Sequence, residues 1–285
     1  MLRSMYSGIS GMKNFQTKLD VIGNNISNVN TYGFKKGRTI FKDLVSQQIA
    51  GASAPGANIG GTNPKQIGLG SQLAAVDTIH TTGSLQTTAR PLDLAISGDG
   101  LFVVGTGTGT PATVEGYTRA GNFYLDQQGY MVNADGYYVL GATGTGTPSG
   151  TITDTANSTN VSRIQIPTNA KSFSIGADGK VTFINNTGTL QTAGTIAIAK
   201  FANNDGLSKS GNNLFKNTTN SGNPVMNAPS TGGTGTIVAG TLEMSNVDLS
   251  EEFTEMIVAQ RGFQANTRII TTSDEILQEL VNLKR

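Results

Sequence analysis

A single histidine, His80 in the run Asp77–Gly83, is the first place to look for chemistry in this 285-residue chain. A Ser-His-Asp device would need it as its base, and nothing near it reads as a strained turn presenting a nucleophile. A polar residue on a strand surface accounts for it. One imidazole cannot build a multi-histidine metal site either. Asp99, Asp126, Asp135 and Asp178 each stand in a glycine-containing turn, where turn preference explains them. The stretch from Asp126 to Gly136 lacks the alternating oxygen ligands and closing glutamate of a calcium loop. No glycine-rich loop ending in Gly-Lys-Ser/Thr is present to cradle a phosphate. Lys35, Lys36 and Arg38 read as a solvated face or as partners for the carbonyls of a helix end, rather than as a nucleic-acid site. Zero cysteines excludes disulfides, thiolate metal sites and a cysteine nucleophile. The chain is read as a non-enzyme with no cofactor and no metal.

Composition points the same way. The formal net charge is +1, so neither a basic excess nor an acidic tail suggests nucleic acid or a metal sink. Charged residues make up 14% of the chain, against roughly 25% in an ordinary domain. With 37 glycines, much of the surface must be neutral and polar, which suits close contact with neighbours. No apolar run approaches the roughly 18 residues of a membrane span, so no membrane insertion is expected. The opening residues are amphipathic and do not read as a cleavable secretory signal. Either the protein is cytoplasmic or it leaves by another route.

The strongest patterns lie at the two ends. Leu249, Met256, Phe263, Ile270 and Leu277 recur every seven residues, with Phe253 and Val281 on the neighbouring seam. Leu2, Met5, Ile9 and Met12 follow a 3-4-3 spacing, and Leu19, Ile22 and Ile26 continue the stripe. Each end therefore predicts a helix with a narrow apolar seam that needs a partner. The first helix runs from about Leu2 to Val29, and the second from Asp248, as N-cap with Glu251 in a capping box, to Leu283. Gly8, Gly11 and Gly23 each cost roughly 1 kcal/mol within the first helix. Gln260, Thr267 and Asp274 put polar residues beside the second apolar row. Such helices become ordered on joining a larger array more readily than they stand alone.

Between the ends the period changes to two. Short apolar runs from Leu92 to Phe201 are separated by turns such as Ser97–Gly100, Asp126–Gly129, Asn133–Gly136 and Ala177–Gly179. The hexapeptide Thr-Gly-Thr-Gly-Thr-Pro occurs at 106–111 and 143–148 and reads as two low-complexity loop tips. The expected fold class is α+β: long terminal helices forming a coiled coil, with a β-rich domain inserted between them. The expected domains are a terminal helical domain (1–45 and 245–285), linker regions (46–90 and 203–244) and a β-rich domain (91–202). A second class stays open, a β-rich binding module or adhesin that the coils merely trimerise.

The run Asn24–Lys35, with Asn24, Asn25, Asn28, Gly33 and Phe34, resembles the N-terminal signature of the bacterial flagellar axial proteins, the rod and hook subunits. Gly68–Gly70, Arg90–Ile96, Gly98–Gly100 and Tyr117–Phe123 resemble their core blocks. Ser245–Asp248, with Asn246, and Gln260–Asn266, with Gln260 and Arg261, resemble their C-terminal block. The blocks are in family order over nearly the whole chain. The resemblance implies a homopolymer whose paired terminal helices form an inner tube, with the β-rich domain further out. It implies export by the flagellar type III apparatus without a cleavable signal, and an extracellular place in the flagellum. Implied partners are distal rod, hook cap or scaffolding, and hook–filament junction proteins. The opening, linker and ending residues look most like the compact hook protein of Gram-positive bacteria, a flexible joint transmitting torque. A distal rod subunit of the basal body is the alternative.

Overall fold

The computed structural model describes residues 2–56, 60–107, 112–144, 149–151 and 161–283, with Leu2 and 149–151 described by backbone alone. Most of the two Thr-Gly-Thr-Gly-Thr-Pro runs lies outside the described residues. The fold is α+β, with an N-terminal helix, a large β-rich middle and a C-terminal helix. Two units divide it. One comprises residues 1–27, 37–79 and 247–285, and the other residues 28–36 and 80–246.

The first unit holds both helices, α1 (Leu2–Ser27) and α2 (Leu249–Asn282). Asp248 caps α2, its Oδ1 accepting from Ser250 N–H at 2.8 Å and Glu251 N–H at 3.5 Å. Four strands complete the unit: β1 (Gly37–Asp43), β2 (Gln47–Ala50), β3 (Lys65–Ile67) and β4 (Ser71–Thr78). β1 pairs antiparallel with β4 from Gly37↔Thr78 to Asp43↔Ser71, and β2 pairs with β3. Leu44 N–H bonds to Gly70 O, and Ser53 bridges Thr62, so residues 37–53 and 62–78 form one long two-stranded ribbon. This is a departure from the expected linker over residues 46–90. Gly, Ala, Pro and Asn hide the ribbon, because its two strands have no buried face to impose a period of two.

The second unit is built on an antiparallel sheet of 14 strands among the described residues. Its main path runs Ser149–Thr151, Val225–Asn227, Ile198–Lys200, Leu101–Thr106, Tyr138–Thr143, Leu190–Ile196, Lys180–Ile184, Ser172–Ile175. Residues 203–244, expected as linker, contribute strands at Ser208–Gly211, Leu214–Lys216 and Val225–Asn227, and two more at Thr236–Ala239 and Thr241–Glu243. Alternation along the strands sorts side chains into two cores. Phe102, Ile196 and Ile198 join Leu94, Phe123 and Ile164 in one core; Leu101, Val103, Ala197 and Ala199 join Tyr117, Leu140 and Phe201 in the other. Successive side chains point to opposite faces, so a strand buried on both sides reads as continuously apolar. Phe102 meets Phe123, and Tyr117 meets Phe201, edge to face.

Candidate assembly interface

The two helices pack against each other antiparallel. An ideal Cβ on Gly8 would lie 3.5 Å from Ile270 Cγ1, one on Gly11 2.8 Å from Asn266 Oδ1, and one on Gly262 2.5 Å from Phe15 Cζ. Lys18 pairs with Glu255, and further along Asn25 pairs with Glu252. Gly11 and Gly262 thus leave room for the Asn266 side chain and the Phe15 ring, which a Cβ at either position would crowd, offsetting their low helix propensity.

On α2 the side facing α1 alternates two rows. Met256, Phe263, Ile270 and Leu277 are half-buried, as the seven-residue spacing suggests. Between them stand Glu252, Ala259, Asn266 and Ser273, either buried or half-buried. Gln260, Thr267 and Asp274 lie exposed, so the polar positions of the packed face are not the ones singled out from sequence. Both rows flank the apolar one at three-residue spacing, and sequence does not say which side turns inward. The row of Glu252, Ala259, Asn266 and Ser273 turns inward, with Asn266 seated over Gly11 and Glu252 bonded to Asn25. Phe253 (50% exposed) and Val281 (68%), in the row of Gln260, Thr267 and Asp274, therefore fall outside the packed face, and Leu249 (39%), at the start of the apolar row, is exposed as well. On α1, Ile22 is buried and Met5, Ile9, Met12, Leu19 and Ile26 are half-buried; the side chain of Leu2 lies outside the described residues.

The signature residues occupy distinct environments. Asn25 is buried: its Oδ1 accepts from Gly37 N–H at 2.9 Å, and its Nδ2 donates to Gly37 O at 2.9 Å and Glu252 Oε2 at 3.2 Å. Asn24 is exposed, as are Gln260 and Arg261. In the second unit, Asn28 accepts from Thr31 N–H and Thr31 Oγ1, closing a turn. Gly33, at φ +70°, is buried with its ideal Cβ position 2.5 Å from Ala120 N, so no other residue fits. The Lys209 ammonium sits 4.8 Å from the centre of the Phe34 ring. Asn246 Oδ1 accepts from Lys36 N–H at 2.8 Å, and its Nδ2 donates to Thr81 Oγ1 at 3.0 Å.

Sequence reasoning missed the polar hub beside these residues. Lys35, expected on a solvated face or at a helix end, is fully buried and pairs with Glu243. The Glu243 carboxylate also accepts from Arg119 Nη1 at 3.1 Å and Gly83 N–H at 3.0 Å, while its backbone oxygen accepts from Gly33 N–H at 2.8 Å. Burial pulls the Lys35 pKa down and the Glu243 charge pulls it back up, leaving it below the ordinary lysine value. His80, stacked near Phe215, is held down at about 4, first by burial and then by the Lys35 charge. Arg38 does lie exposed, 3.5 Å from Asp77. Among the described residues no group of acidic, histidine or cysteine side chains could hold a metal, and no helix is long and apolar enough to cross a membrane.

Comparison with known proteins places these buried polar ties and exposed apolar rows in a family. Three family profiles match: "Flagella basal body rod protein" over residues 5–35, "Flagellar hook protein FlgE/F/G D1 domain" over 95–183, and "Flagellar basal body rod FlgEFG protein C-terminal" over 238–283. The flagellar basal-body rod protein FlgG of Bacillus subtilis is 62% identical over 286 residues, covering all of both chains. The chain belongs to the bacterial flagellar rod and hook protein family. The family's members are structural proteins of the flagellum, not enzymes. Two relatives from Borreliella burgdorferi separate the branches. Its rod protein FlgG is 37% identical over 290 residues, whereas its hook protein FlgE is 31% identical over 446, each match covering all of both chains. Within the family, these comparisons favour the rod reading over the hook reading that the opening, linker and ending residues suggest.

Proposed function

We propose that this chain is a structural subunit of the distal rod, self-assembling into the tubular shaft of the flagellar basal body. The observation that carries the reading is 62% identity over 286 residues to a protein named as a basal-body rod component. Hook-named relatives align only across 446 and 468 positions, so a 285-residue chain must be opened by long gaps to match them. The hook reading therefore gives way to its alternative.

The exposed apolar residues support a polymer. Leu249, Phe253, Ile257, Val258, Ile269, Ile276 and Val281 lie exposed on α2. Exposed apolar rows of this extent mark surfaces that associate. Val45 (82% exposed) and Ile49 (61%) lie on the ribbon, and a two-stranded ribbon is marginally stable in water on its own. In the polymer the terminal helices would line an inner coiled-coil tube, with neighbouring copies covering these rows. The subunits would travel through the flagellar type III apparatus and add beneath a scaffolding cap.

Deletion of residues 245–285 tests the role of the seam. The truncated chain is expected to keep a β-rich circular dichroism signature yet form no sedimentable polymer. Polymer formed without α2 would contradict the reading.

A further inference from the structure

The seven-residue repeat that builds the seam also leaves its alignment ambiguous. Met256, Phe263, Ile270 and Leu277 are all apolar, and Ala259, Asn266 and Ser273 are all small. Sliding α2 by one heptad along α1, a shift of about 10 Å, would lay one apolar layer on the next. Apolar burial is non-directional and resists such a slip only weakly.

Two features break the degeneracy: a slip sets Glu255 or Ile269 where Gly262 meets the Phe15 ring, and it breaks a buried polar node. Asn25 (2% exposed) and Glu252 (6%) meet at 3.2 Å through Asn25 Nδ2 and Glu252 Oε2. The same amide exchanges two hydrogen bonds of 2.9 Å with Gly37 at the start of β1. One side chain thus joins α1, α2 and β1, using its donor and its acceptor. A one-heptad slip would set Ala259 where Glu252 stands and remove this donor from the buried carboxylate. We infer that Asn25 and Glu252, together with the fit of Gly262 on Phe15, are a register key of the terminal helix pair, positioning residues that help select one among several apolar alignments. A buried polar pair specifies register because every other alignment leaves it poorly matched. The isosteric change Asn25→Asp would turn the donor facing Glu252 into an acceptor.

The chain has no cysteine, so engineered pairs report alignment without interference. Gly8→Cys with Ile270→Cys reads the observed register, since an ideal Cβ on Gly8 lies 3.5 Å from Ile270 Cγ1. Gly8→Cys with Phe263→Cys, or with Leu277→Cys, reads a slip of one heptad either way, which a disulfide's Cα span of roughly 4.4–6.8 Å does not bridge from the observed register. In the otherwise unaltered full-length chain, mild oxidation should close the 8–270 pair at least about tenfold faster than either slipped pair. In Asn25→Leu/Glu252→Leu the slipped pairs should gain at least about threefold on the 8–270 pair, while Tm stays at or above that of the parent. Asn25→Leu alone and Asn25→Asp should both lower Tm. A merely structural node predicts that restoring Tm restores a single register. The same oxidation series in Asn25→Ala/Glu252→Ala serves where the leucines do not pack. A lag of the slipped pairs unchanged from that of the parent, in a folded double variant, would overturn the inference.

Discussion

At the residue scale, the second unit is held by charges that neighbouring residues do not announce. Lys35 and Glu243 are 208 positions apart, so no local pattern reveals that the lysine is buried. The glycine at position 33 is legible as a turn residue, but its reason, the backbone of Ala120 against it, is not. Glu243→Gln leaves Lys35 and Arg119 buried around a neutral amide, and it should cost about 3–5 kcal/mol. Urea unfolding followed by circular dichroism measures this; a loss under about 1 kcal/mol would mean that water replaces the carboxylate. His80 supplies a pH signature. Its folded-state value near 4 lies below the ordinary 6.5, so the unfolded chain takes up the proton first as pH falls. Its contribution to stability is fully present above pH 6.5 and is lost as pH falls through the window down to about 4. Because the chain has one histidine, subtracting the Tm profile of His80→Gln from that of the parent isolates this slope. A difference that does not change with pH over the window would contradict the burial argument.

At the element scale, both helices and most turns are readable, because heptad spacing, the Asp248 cap and Asp/Asn-Gly pairs act through near neighbours. The ribbon of residues 37–53 and 62–78 and the inward choice between two flanking rows on α2 are not, because each depends on what lies opposite. Gly262 and Gly23 make that dependence measurable. Both are helical glycines, and propensity alone would favour alanine by roughly 1 kcal/mol at each. An ideal Cβ on Gly23 meets nothing within 4 Å, whereas one on Gly262 comes 2.5 Å from the Phe15 ring. Gly23→Ala should therefore raise Tm, and Gly262→Ala should lower stability by about 1–3 kcal/mol through overpacking. Thermal melts at 222 nm would read both, and equal shifts of the same sign would show that the helices do not pack as described.

At the scale of the whole molecule, the family is legible from motif blocks, and full-length comparison favours the rod over the hook. The neutral surface, with 14% charged residues, and the exposed rows on α2 and the ribbon belong to a subunit that completes its burial by joining copies of itself. A shaft and a joint nevertheless ask opposite things of the same contacts, since one must resist bending and the other must permit it. Electron microscopy of tubes polymerised from the purified full-length chain reads that property directly. The distal-rod account predicts straight tubes of uniform diameter; curved or supercoiled tubes would contradict it and return the chain to the hook.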